Sequence, residues 1–474
     1  MFLKASRFFL YLAPLCVAVV LVGTFFPFIG GKYFFFRVAV ELSFIFFVLW
    51  WGFGAAEGEV FRRMKSLFSK PLVIAVSVFV LVFLLATVFA DNPGGAFWSN
   101  YERGDGGFQM IHYYLFFLLS VFLFREWTHW RLLFRVSLAA AALMILYGLF
   151  GYFAILSPNL FCSESSGPHP VQQCISFITP YQGQGATIPK TLWGLFTQNR
   201  FQGSLGNPAY VAPYLMFSMF YALYLWGRER GGRQLVRNIL YGSSLLVFLF
   251  FFFISQTRGA FLGLGAAIFF FFIYLALEKK EWRIKIGATA AILVVLTSIL
   301  VYNRKSDFVT SLPGGRLFDL SFSEQTVQTR LWTWGSAWKG FLERPILGWG
   351  PENFSAVFDK HFDPRHYVPG QNTETWFDRA HSVFFDYLAE TGILGALSYL
   401  AIFIIFYREF FRFRGRLLGE RNAEISPSLL RSFIFALPIG YLVQGLALFD
   451  VLPIYINFFL FLGFGSWLFY KEEA

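Results

Sequence analysis

The sequence predicts an all-α polytopic membrane protein of about twelve transmembrane helices, with a large, partly helical extracytoplasmic loop between spans nine and ten. Three observations carry that reading. Of the 474 residues, 57% are hydrophobic and 22% aromatic, with 66 phenylalanines, far more than a water-soluble domain uses. Only 14% are charged, and the charges fall between long apolar stretches. Stretches of about 18 or more such residues can cross roughly 30 Å of hydrocarbon, where helix lets a single segment close its own backbone hydrogen bonds.

The spans run approximately 8–29, 33–54, 71–90, 108–124, 133–156, 207–226, 236–253, 258–277, 285–301, 381–406, 430–447 and 452–470. The first is read as retained, because Phe25, Phe26, Pro27 and Phe28 stand where a small-residue cleavage site would follow a signal peptide. Residues 1–301 then hold spans one to nine, 302–380 the long loop, and 381–474 spans ten to twelve. Phenylalanine runs such as Phe250 to Phe253 and Phe269 to Phe272 face lipid or pack between helices.

An even number of spans puts both termini on one side. The segments around Lys4, Arg62, Arg125, Arg228, Lys279, Arg408 and Lys471 hold 24 of the 39 basic residues, the opposite short loops six and the long loop nine. Basic residues of short loops stay cytoplasmic, so both termini are expected inside and the long loop outside. The formal charge of +11 is then an orientation signal and not a nucleic-acid footprint; the long loop balances nine basic with nine acidic residues.

Within that loop, Gln325 to Arg344 sets Val327, Leu331, Trp334, Trp338, Phe341 and Leu342 at helical spacing, which predicts an amphipathic helix on the membrane or over the bundle. Pro345 to Pro351 must turn, since two prolines and two glycines in seven residues defeat a helix. A short helix is expected around Asn353 to His361. The next helix is expected to open with Asp378 as N-cap and His381 as its third residue, where the positive helix end would keep the imidazole neutral. A neutral histidine at the outer surface suits a general base, and a boundary histidine that merely caps a span fits the same spacing. Asp386 and Glu390 do not share its helical face, so a carboxylate that orients it has to come from elsewhere.

Arginines gather on the same side: Arg103 in the second outer loop, Arg200 before span six, Arg258 opening span eight, and Arg316 and Arg330 in the long loop. Guanidinium forks match phosphate oxygens bidentately, which suits a lipid pyrophosphate. Interfacial snorkelling is the competing reading for any boundary arginine. Asn207 is expected as the N-cap of span six with Pro208 in its first turn, a helix start whose free N–H groups could also receive an anion. Arg37 and Glu41, four apart in span two, are expected to pair. Cys162 and Cys174 share one outer loop, and the sequence fits a disulfide and two free thiols equally. Histidines 112, 129, 169, 361 and 366 lack ligand spacing and no nucleotide motif follows a strand, so no metal and no cofactor is expected.

The runs QTRLWTWGSAWKGFLERPILGWGPENF (328–354) and RAHSVFFDYLAETGILGAL (379–397) resemble the signature region of the O-antigen ligase and O-antigen polymerase superfamily of bacterial inner-membrane proteins. SQTRGAFLGL (255–264) and RFQGSLGNPAYVAPYLM (200–216) are similar to two further elements; together with the twelve spans and the long loop between spans nine and ten, the likeness covers most of the chain from about residue 70 onward. The resemblance implies a metal-independent glycosyltransferase that moves a preassembled glycan from an undecaprenyl-diphosphate carrier to an acceptor at the outer face of the cytoplasmic membrane. It implies that His381 activates the acceptor and that Arg258 and Arg330 hold the diphosphate, with Arg316 competing for the part of Arg330. Arg200, Arg103 and Asn207 are the further candidates for diphosphate or glycan contacts. Ser382 stands where many members have Asn, and residues from Phe354 to Trp376 are atypical, so acceptor contacts do not carry over. The acceptor is a glycolipid, as in ligation to lipid A-core, a second glycan, as in polymerisation, or a protein. A transporter or flippase of lipid-linked glycans is the alternative of another class. The candidate residues sit at the outer margin and no repeated halves are detectable, which favours the enzyme.

Overall fold

The structure, a computed structural model, describes residues 1–100, 103–157, 191–229, 233–312, 314–318, 325–367, 370, 375–415 and 427–470. Cys162 and Cys174, whose pairing the sequence leaves open, lie outside the described residues, as does most of the cysteine-bearing loop. Among the described residues the regular structure is all helix, and ten helices are long and apolar enough to cross a membrane.

The first expected span is not one continuous helix. Helix α1 (Phe2–Leu12) gives way to a 3-10 turn over Ala13–Ala18 and then to extended chain. Pro14 lacks the N–H that would continue the ladder. Side chains from elsewhere take up the freed carbonyls: the Ser204 hydroxyl donates to Val17 O at 2.6 Å and the Lys32 ammonium donates to Val19 O. Then come α2 (Gly30–Phe53), the surface helix α3 (Glu59–Phe68), α4 (Pro71–Val88), the short α5 (Pro93–Trp98), α6 (Gly107–Leu123) and α7 (Trp127–Leu156). At seventeen residues α6 is the shortest of the expected spans that form. Arg37 and Glu41 do not pair. Arg37 donates to Gln109 Oε1 and Gly104 O, whereas Glu41 lies 2.9 Å from His112, so each finds its partner on the α6 segment.

After α8 (Leu192–Gln198) come α9 (Pro208–Arg228), α10 (Gln234–Ile254), α11 (Arg258–Glu278), α12 (Arg283–Tyr302) and the one-turn α13 (Asp307–Thr310). The long loop builds α14 (Gln325–Glu343) and α15 (Phe354–Lys360), at the places its spacing predicts. The chain ends in α16 (Val383–Phe413), α17 (Pro427–Gly445) and α18 (Leu452–Tyr470). Apolar all round, α18 is wholly buried at the centre, while α12 is only 6% buried and turns its side chains to lipid.

Helix α16 is broken at Gly392 (φ 64°, ψ −165°), a conformation essentially restricted to glycine. The PILGWGP turn fits into the break: Trp349 and Gly350 donate their N–H groups to Ala389 O and Glu390 O at 2.9 and 2.8 Å, and Ile393 N–H donates to Pro345 O at 2.8 Å. A Cβ at Gly392 would lie 2.4 Å from Ile346 O. Gly392→Ala is therefore expected to cost at least about 1–3 kcal/mol, read as a lower melting temperature of the purified protein. An unchanged melt would show that the break is not held as described.

Candidate functional site

His381 lies in the turn before α16 and not inside it. Ser382 occupies the N-cap position, and His381 itself has φ 56°, a left-handed conformation rarely taken by a residue with a side chain. The expected N-cap, Asp378, instead receives a bidentate pair from Arg103, Nε to Oδ2 at 2.9 Å and Nη2 to Oδ1 at 2.8 Å. Reading Asp378 as a cap was wrong because an arginine from a distant loop offered it two charge-assisted hydrogen bonds.

The strained turn is pinned on all sides. Trp334 of α14 donates its indole N–H to Ala380 O at 2.9 Å, and Ala380 N–H donates to Asp386 Oδ1 at 2.7 Å. Val383 N–H reaches Leu448 O at 3.0 Å. Arg379 is buried and forms ion pairs with Glu390, at 3.1 Å, and with Glu352, the residue after the PILGWGP turn. The carboxylates Asp386 and Glu390 thus hold the two residues that precede His381, Ala380 and Arg379. The two carboxylates sit one turn apart on α16, in a small polar pocket that also takes in Asp105, Tyr455 and Asp450.

The imidazole stands edge-on to Phe377 and Phe449, with centroids 5.3 and 5.1 Å away. Its Nδ1 lies 3.1 Å from Arg379 O. A carbonyl can only accept, so Nδ1 carries the proton and donates, leaving the Nε2 lone pair available. Burial, with the Arg330 and Arg103 charges added, pushes the His381 pKa down to about 4, so the ring is neutral at physiological pH. The neutrality expected from the sequence therefore has a different cause: not a helix N-terminus but burial among arginines.

A second group surrounds the start of α11. Arg200 donates from Nε to Ser255 O at 3.2 Å and from Nη2 to the Thr257 hydroxyl at 3.3 Å, and Thr257 in turn donates to Pro208 O at 2.9 Å. Arg258 is the first residue of α11 and Asn207 caps α9, accepting from Ala209 N–H at 2.9 Å. Arg200, Arg258 and Asn207 are thereby brought to one corner. The loop between α17 and α18 joins this corner to the histidine. Gly259 abuts Ala447 and Leu448, while Phe449 touches His381, the Arg103 guanidinium (4.7 Å to the ring centre) and Tyr210 of α9. The side chain of Arg316 lies outside the described residues.

Sequence reasoning missed Arg379, Glu390, Glu352 and Phe449. A signal existed in Asp386 and Glu390, since carboxylates inside an apolar span are costly unless partnered and mark a working region.

The helices define a multi-pass α-helical membrane protein whose polar residues converge at one end of the bundle. Residues 243–400 match the model of the family described as O-antigen ligase, which bears out the resemblance to the O-antigen ligase superfamily. That segment contains Arg258, Arg330 and His381 and leaves Arg103, Arg200 and Asn207 outside. No curated protein matches the chain. Members of that family are membrane glycosyltransferase-like proteins of glycan biosynthesis that act on lipid-linked glycans and acceptors.

Proposed function

We propose that the protein transfers a preassembled glycan from undecaprenyl diphosphate to an acceptor hydroxyl at the outer face of the cytoplasmic membrane, in the manner of ligation to a lipid A-core. The observation that carries this reading is a neutral imidazole, with a bare Nε2, held among arginines in a strained and fully anchored turn. The acceptor oxygen bonds to the anomeric carbon as its proton passes to His381 Nε2. The bond from that carbon to the phosphate oxygen breaks, and its electron pair leaves with the diphosphate. Arg258, Arg330 and Arg200 offset the charge that develops on the leaving group. Arg103, with two nitrogens committed to Asp378, positions the histidine turn. The diphosphate also counters the arginine charges that depress His381, so donor binding raises the basicity of the ring at the moment it is needed.

Purified protein supplied with an undecaprenyl-diphosphate glycan and a lipid A-core acceptor is expected to form the ligated product. Arg258→Ala and Arg330→Ala are each expected to lower the rate by roughly 10²–10³-fold, the range for loss of one group that stabilises developing charge. Undiminished transfer by both variants would remove the mechanism. Product formed only with a second glycan or a peptide as acceptor would retain the chemistry and reassign the acceptor.

A further inference from the structure

At the end of the bundle opposite His381, a half-open cleft of about 270 Å³ lies between α3, α4, α6 and α18. Helices α6 and α18 run from the histidine end (Asp105, Asp450) to this cleft (Arg125, Tyr470) over seventeen and nineteen residues. At 1.5 Å per residue that is roughly 25–28 Å, about one hydrocarbon thickness. The charge pattern of the loops assigns this end to the cytoplasmic side.

Arg62, Arg63, Lys70 and Arg125 line the cleft, and among the described residues no acidic side chain lines it. Glu59, the nearest carboxylate on α3, is turned to Arg63. Partial burial, and after it the Arg63 and Arg7 charges, lower the pKa of the Arg125 guanidinium against the opposing pull of the Glu59 carboxylate. Below the basic rim the wall is apolar and aromatic: Phe122, Trp467 and the Tyr470 ring, over which the Lys70 ammonium sits at 5.4 Å. The helix that bears Arg62 and Arg63 is itself amphipathic, burying Val60 and Leu67 while Arg62, Lys65 and Ser66 are exposed.

We propose that this cleft is a binding site for the phosphodiester headgroup of an anionic phospholipid of the cytoplasmic leaflet. The guanidinium forks take the phosphate and an acyl chain lies along the aromatic wall. Cations at the interface over an apolar surface suit a molecule with both features, which a free anion lacks.

The test uses the full chain in a neutral detergent, with retained lipid counted by native mass spectrometry. The probes are short-chain phosphatidylglycerol, phosphatidylcholine with the same chains, and inorganic phosphate. Wild type is expected to retain phosphatidylglycerol at least about tenfold over phosphatidylcholine and to be indifferent to equimolar phosphate, and Arg62→Gln with Arg125→Gln is expected to abolish that preference. Both side chains are exposed, and a melt matching wild type confirms that the variant is folded. Lys279→Gln with Lys280→Gln, on the same face but outside the cleft, is expected to keep the preference. Equal retention of the two lipids, displacement by phosphate, an unaffected cleft variant or loss in the control variant would each overturn the proposal.

Discussion

Replacing His381 with asparagine is expected to lower glycan transfer by roughly 10²–10⁴-fold, the range for loss of a general base, with donor binding retained. Asparagine is the informative choice because it tolerates positive φ, so the turn at φ 56° survives while the proton acceptor is lost. At about 1.4 kcal/mol per tenfold, the loss amounts to roughly 3–5 kcal/mol of transition-state stabilisation. Wild-type transfer should be flat through neutral pH and fall as acidity approaches the point at which His381 protonates, a fall the variant should not share. Stability has its own sign. With the folded pKa pushed down to about 4 from an ordinary 6.5, the unfolded chain binds the proton first between those values. Stability is therefore complete above pH 6.5 and declines as pH falls toward 4, and melts across this window should show a shallower slope in the variant. A variant that transfers at wild-type rate would end the assignment of His381 as base.

Arg379→Gln is expected to be the most destabilising single change near the site. It removes the cation that neutralises both Glu390 and Glu352, all three being buried. Breaking a buried ion pair from one side typically costs about 3–5 kcal/mol, because the remaining charge is left uncompensated. Adding Glu390→Gln should recover part of the loss, since one stranded carboxylate is then neutral. The measurement is a thermal melt of the single and double variants. A single variant as stable as wild type, or a double variant no better than the single, would refute the buried triad. Transfer should fall with stability here, because Arg379 O also fixes the His381 tautomer.

The sequence made some parts of this molecule readable and not others, for physical reasons. Apolar length declares a span, so α2, α4, α6, α7 and α9–α12 appear close to where hydropathy puts them. Interleaved Trp334, Trp338 and Leu342 declared α14, and paired proline and glycine declared the turn after it. Pro14 was the missed warning in the first span: hydropathy sums over residues and does not register one absent N–H. The ends of α16 escaped for a different reason. Asp378 obeys local capping preference until Arg103, 275 positions away in sequence, claims it. Likewise the linear separation of Asp386 and Glu390 from His381 hid their work on Ala380 and Arg379. Pairings between distant segments, and the backbone strain they support, have no short-range signature.

The break at Gly392 also constrains how the protein is made. The amides of Trp349 and Gly350 find their acceptors only at residues 389 and 390, which leave the ribosome some forty positions later. During synthesis the turn that packs against the histidine segment must wait, unfinished, until α16 arrives to complete it.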